Sequence, residues 1–163
     1  MMEALAWTEQ TAISIYVREN FYAYFVLLIF HAWGMTLLVG AGLALSLRMM
    51  GLASGSSLRK WRAVFTPMKL GAVLAILSGL GLLAGYPAKA LTNWVFALKF
   101  ACLIGAALLA ARMGRYLVTT TAEPAGAVRL LAAASMALWI GAIAAGKLLL
   151  YTNVMLMTAD SPW

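Results

Sequence analysis

Four runs of mostly apolar residues, each about twenty or more long, leave this chain one class of fold. They cover about residues 21–47, 67–86, 93–111 and 128–151. A helix rising 1.5 Å per residue needs about 20 such residues to cross the roughly 30 Å hydrocarbon core of a bilayer. Runs this long suit helices rather than the shorter strands of a membrane barrel. The expected fold is all-α: an integral membrane four-helix bundle, one transmembrane domain over residues 1–163. Composition agrees. The chain is 64% apolar and 10% charged, with a mean hydropathy of +0.92. Soluble domains hold about 45–50% apolar and 25% charged residues. This much apolar surface calls for a lipid-facing exterior.

In a soluble protein a net charge of +7 would suggest nucleic acid. Here the placement of the charges decides, and no nucleic-acid partner is expected. The first loop and its edges carry Arg48, Arg59, Lys60, Arg62 and Lys69, and the third carries Arg112, Arg115 and Arg129. The other connections and ends hold only Arg18, Lys89 and Lys147. Basic loops stay in the cytoplasm, so both termini are expected outside, in a bacterial inner (cytoplasmic) membrane. The opening MMEALAWTEQ has no basic residue, so the first apolar run is expected to be an uncleaved anchor. In the segment before that run, Leu5, Ala12, Ile13 and Tyr16 can share a face, which predicts a short interfacial helix. Small residues at four-residue spacing predict close helix approach: Gly71, Ala75 and Gly79; Cys102, Ala106 and Ala110; Ala133, Ala137, Gly141 and Ala145.

Three ionisable residues fall inside spans, toward the expected outer side: His31, Lys99 and Lys147. His31 is the only histidine and lies ten residues, or about 15 Å, into the first span. Lys99 lies about 9 Å into the third. The spans hold no acid to pair with them. Intramembrane ionisable residues mark function by default, although lysines near a span end can snorkel. Histidine and lysine without an acid suit an anionic guest. An imidazole is the usual haem anchor, and haem propionates want cations. Gly34, three residues on, shares the face of His31 and would leave room for a flat ring. The candidate cofactor-binding set is therefore His31, Gly34 and Lys99, with His31 as metal ligand and haem b as cofactor. The sixth position could be taken by Lys99, a partner chain, one of Met68, Met136 and Met155, or nothing. Met35 rises from the same side as His31 and cannot lie opposite it across one iron. With one His and one Cys, zinc and iron–sulfur sites are not expected. No nucleophile–base set appears, so no catalytic residue is assigned.

Three stretches carry a resemblance: YFVLLIFHAWGMTLLVGAGLALSLRMMGL (24–52), FTPMKLGAVLAILSGLGLLAGYP (65–87) and LTNWVFALKFACLIG (91–105). Together they resemble a group of small bacterial four-helix membrane proteins with a histidine in helix one followed by an LRxxG segment. Ser46 stands where that group carries Asp. More distantly, the order of His, then Pro and Gly, then Lys is similar to the haem-associated membrane protoporphyrinogen oxidases and their copper-resistance relatives. That resemblance implies a role for His31 and Lys99 and a bound haem b. The functional expectation is a membrane redox protein linking an outer-side donor or quinone to the membrane. The alternative is a non-catalytic accessory subunit of a larger complex. Either way the lipid bilayer is one partner, and other membrane or periplasmic subunits, or a second copy of this chain, are expected beside it.

Overall fold

The structure, a computed structural model, describes residues 7–52, 55–120 and 122–159. Among the described residues it is built of helices: α1 (Ala12–Glu19), α2 (Phe21–Met49), a 3-10 segment (Leu58–Val64), α3 (Phe65–Gly85), α4 (Pro87–Leu91), α5 (Trp94–Thr119) and α6 (Ala127–Ala159). Four helical stretches are long and apolar enough to cross a membrane: Phe21–Met49, Leu58–Gly85, Trp94–Thr119 and Ala127–Leu149.

Local chemistry sets the boundaries. Asn20 is extended and its side chain accepts from the Ala23 amide at 3.1 Å, so α2 starts one residue after α1 stops. Asn93 caps α5 in the same way, accepting from Val95 N at 2.9 Å. Such caps satisfy amides that have no partner within the helix. α2 closes on Gly51, whose φ of +96° favours glycine. There Leu52 N donates to Leu47 O and Gly51 N to Arg48 O, the paired bonds of a left-handed helix stop. Helix α5 runs to Thr119, eight residues beyond the end expected at 111. Its exposed Arg112 and Arg115 extend the helix past its apolar part. α3 likewise begins earlier than expected, because the 3-10 segment leads directly into it.

α2 packs along α3, α5 along α6, and α2 against α6 joins the two hairpins; α3 makes no comparable pairing with α5 or α6. The connected apolar core includes Leu45, Met49, Leu58, Met68, Met113, Leu117 and Trp139. All of it lies toward the end that carries the 50–64 and 120–126 connections, here called the basic end. From Val39 to the end of α2, for instance, is about 15 Å of helix. The other half of α2 exposes most of its large residues, among them Phe25, Val26, Leu28, Phe30 and Trp33.

A short helix, α1, stands where an interfacial one is expected; Ala12, Ile13 and Tyr16 lie on its exposed side, and Leu5 lies outside the described residues. The buried side is Ser14 and Val17, both against the end of α3: Ser14 Oγ donates to Gly85 O at 3.2 Å. The seam on α3 faces α2. A Cβ on Gly71 would lie 2.5 Å from Leu38 N, and one on Gly34 the same distance from Ala75 N. Those two helices touch backbone to backbone. The seam on α6 is shifted from the expected register: Ala132, Ser135, Trp139, Ala142 and Ala145 are buried, while Ala137 is exposed. Trp139 sets that register, since its indole fills the notch left by Gly42.

Candidate functional site

His31 sits on the face of α2 that meets α3. Its Nδ1 is 3.1 Å from Ala75 O and 3.3 Å from Ser78 Oγ. A carbonyl oxygen can only accept, so the ring nitrogen facing it carries the proton. Ser78 is already committed as a donor, giving its hydroxyl proton to Leu74 O at 2.6 Å, so it too accepts from His31. One N–H thus spans two acceptors on α3, and Gly79 leaves space against the ring at the same level. The consequence falls on the other nitrogen. Nε2 keeps its lone pair and has no partner among the described residues. A histidine held through Nδ1–H with a free Nε2 is the usual presentation of a ligating or proton-accepting imidazole.

Lys99 comes from α5. Its stem lies over Gly146 of α6, with Cε and Nζ within 4 Å of where a Cβ there would be. The side chain is half-buried, and its ammonium is close enough for its charge to act on the His31 ring. The two residues therefore come from different hairpins and lie in one electrostatic neighbourhood. Lys147 is exposed on α6.

Gly34 takes a different place from the one expected. The space left by its missing side chain is filled by α3: a Cβ there would meet Ala75 N, Ala75 Cα and Gly71 O at 2.5–3.0 Å. Gly34 lets two helices touch and leaves no gap for a flat ring. Of the methionines considered as a sixth ligand, Met68 is part of the apolar core at the basic end. It is eleven residues, or about 16 Å, along α3 from Gly79. Met136 lies one residue beyond the core-facing Ser135 in the same half of α6, and the Met155 side chain lies outside those described. The donor set thus fits haem at one point, a neutral imidazole with a free Nε2 beside a cation. It does not supply the flat cradle at Gly34. Among the described residues no group of three or more His, Cys, Asp or Glu side chains could hold a metal ion.

Sequence reasoning placed Arg48 in a solvated loop. It is instead inside α2 and fully buried. Its guanidinium binds both carboxylate oxygens of Glu123 at 2.8 and 3.0 Å and donates to Ser56 O at 3.0 Å. That fork ties the end of α2 to both connections at the basic end. The Arg48 hydrogen bonds, and the Arg48 and Arg129 charges nearby, hold the Glu123 carboxyl below the usual glutamate range. Arg129 in turn donates from Nε to Pro124 O at 2.7 Å. Glu123 and Pro124 thus form a clasp in the connection, and α6 begins at Ala127, one residue before the start expected at 128. Comparison with protein-family models, curated proteins and solved structures returned no match.

Proposed function

We propose that the protein lies in a bacterial inner membrane with its basic end in the cytoplasm and both termini outside, and that its outer half serves electron transfer. In this reading His31 would hold the iron of a haem b through Nε2, and Lys99 would supply a cation for its propionates. Electrons would pass between an outer-side donor or quinone and the membrane pool. The observation that carries the reading is the His31 geometry. Two acceptors on α3 fix the tautomer and leave Nε2 without a partner, with Lys99 acting on the ring and no carboxylate paired with it among the described residues. Haem iron, when bound, takes up and releases a single electron. Within the chain, Ala75 and Ser78 hold the imidazole in one orientation, and the Nδ1–H bonds make Nε2 a stronger donor. The uneven distribution of Arg and Lys supports the orientation.

The test is the absorption spectrum of protein purified from haem-replete cells. A Soret band is expected. It should be lost in His31→Ala and shifted in Ser78→Ala, which removes one acceptor but keeps the ligand. A folded, colourless preparation that carries stoichiometric partner chains would replace this reading with that of an accessory subunit.

A further inference from the structure

At the basic end, a groove opens between the start of α3 and the last turns of α5. One cavity of about 350 Å³ is lined by Arg62, Phe65, Lys69, Ala111, Gly114, Arg115 and Val118. A second, of about 430 Å³, adjoins it through the shared Arg62 and Val118 and adds Arg59. The floor is apolar: Phe65 lies over Gly114, where a Cβ would come within 2.8 Å of the ring. The rim is cationic. Arg59, Arg62, Lys69 and Arg115 are exposed, and none of these side chains has a hydrogen-bond or ion-pair partner among the described residues.

Among the described residues nothing neutralises them. Between Glu19 and Asp160 the only carboxylate is Glu123, and Arg48 occupies both its oxygens. Lys69 and Arg115 each lie four residues inside the helix end, about 6 Å along the axis. With the basic end at a membrane surface, that depth would be where headgroups meet acyl chains. Above the groove, Leu70 and Val73 of α3 and Ile104 and Leu108 of α5 are exposed and offer an apolar path toward the bilayer interior.

We propose that this groove binds one anionic phospholipid, with its phosphate held by Arg62, Lys69 and Arg115 and its glycerol backbone over Phe65 and Gly114. Charge complementarity selects the occupant: unpaired cations around an apolar floor at headgroup depth match a phosphodiester that carries acyl chains. A zwitterionic lipid brings its own cation and loses most of that attraction. The proposal is independent of the His31 reading.

The test adds phosphatidylglycerol, phosphatidylcholine or inorganic phosphate to protein in neutral detergent, and follows lipid adducts by native mass spectrometry and the thermal midpoint. Phosphatidylglycerol is expected to give one retained adduct and a raised midpoint. Phosphatidylcholine and inorganic phosphate are expected to give neither. Lys69→Gln/Arg115→Gln should bind phosphatidylglycerol about 25-fold more weakly, each cation being worth roughly fivefold. Lys60→Gln/Arg112→Gln removes the same charge outside the groove and should bind as the parent does. Gly114→Leu keeps every charge, pushes the Phe65 ring off the floor of the groove and should also lose the adduct. Equal losses in the two double variants would overturn the proposal, as would inorganic phosphate reproducing the midpoint shift. If a variant misfolds, 0.5 M salt applied to the parent takes its place: an adduct that salt does not weaken refutes the cationic site.

Discussion

Gly34→Ala is the most informative single change, because the structure gives its size. The added methyl would lie 2.5 Å from Ala75 N and 2.9 Å from Ala75 Cα. Both are backbone atoms of α3 and cannot swing aside. Ordinary contact between such atoms is about 3.5 Å, so α2 and α3 must part by roughly 1 Å. A gap of that size forfeits a quarter to a half of each contact's dispersion energy, and overpacking of this kind costs about 1–3 kcal/mol. Glycine's lower helix propensity works the other way, by about 1 kcal/mol in favour of alanine. The control sits six residues away on the same helix: Gly40 has nothing within 4 Å of its added Cβ. Gly40→Ala should therefore be neutral or stabilising, and Gly34→Ala should be net destabilising. The assay is reversible unfolding in mixed micelles with increasing SDS, followed by far-UV circular dichroism. Parting the helices also stretches the 3.1 Å contact of His31 with Ala75 O, so any spectral signature of His31 should change in Gly34→Ala alone. Equal midpoints for the two variants would refute the claim that α2 and α3 touch backbone to backbone.

The Arg48–Glu123 pair predicts an acid-sensitive clasp. Glu123 is held below its ordinary value when folded, so its contribution is complete above the unfolded value, near 4.3. It is lost as pH falls through the lower folded value. Part of the fall in thermal midpoint below about pH 4.3 should therefore vanish in Glu123→Gln, and an unchanged acid limb would contradict the pairing. At neutral pH Glu123→Ala should destabilise more than Arg48→Met, because the first strands a buried guanidinium while the second leaves only an exposed carboxylate. Equilibrium unfolding of the two variants gives that order directly. Ser135 is fully buried and its hydroxyl has no hydrogen-bond partner among the described residues. Ser135→Ala should therefore stabilise the bundle by about 0.5–1 kcal/mol, and a loss of stability in the same unfolding assay would reveal a partner for the hydroxyl.

The spans could be read from the sequence because each is a local property: twenty apolar residues in a row make a lipid-crossing helix whatever surrounds them. The α3 seam was legible for a similar reason, since Gly71, Ala75 and Gly79 lie on one helical face and small residues let helices approach. Arg48 was not legible. Its burial depends on Glu123, 75 residues away, and no local pattern distinguishes a clasped arginine from a loop arginine that only sets topology. Gly34 misled for a related reason. A glycine beside a histidine looks the same in sequence whether the vacated space admits a ring or a neighbouring backbone. The partner of His31 had left a signal. Ser78 is the lone hydroxyl in the middle of the second span, and the one histidine lies at a similar depth in the first, which makes the two a candidate pair.

The uneven core accounts for where each kind of charge sits. At the basic end, four helices and the 3-10 segment close around Leu45, Met49, Met113 and Leu117. A cation there can be buried only if it is paired, and Arg48 has a bidentate carboxylate and a carbonyl on its two terminal nitrogens, with Nε alone left without a partner among the described residues. In the other half α3 leaves α5 and α6 without a close pairing, and His31 and Lys99 remain only half-buried. An unpaired lysine costs less there, because its head can reach water, headgroups or an anion through the gap. Tightening that gap should therefore penalise Lys99 before it penalises any apolar residue. Replacing Gly146, on which the Lys99 stem rests, with leucine should destabilise the parent more than it destabilises Lys99→Met, and a double-mutant cycle measures the difference. Additive effects would mean that Lys99 does not depend on the looseness of this half.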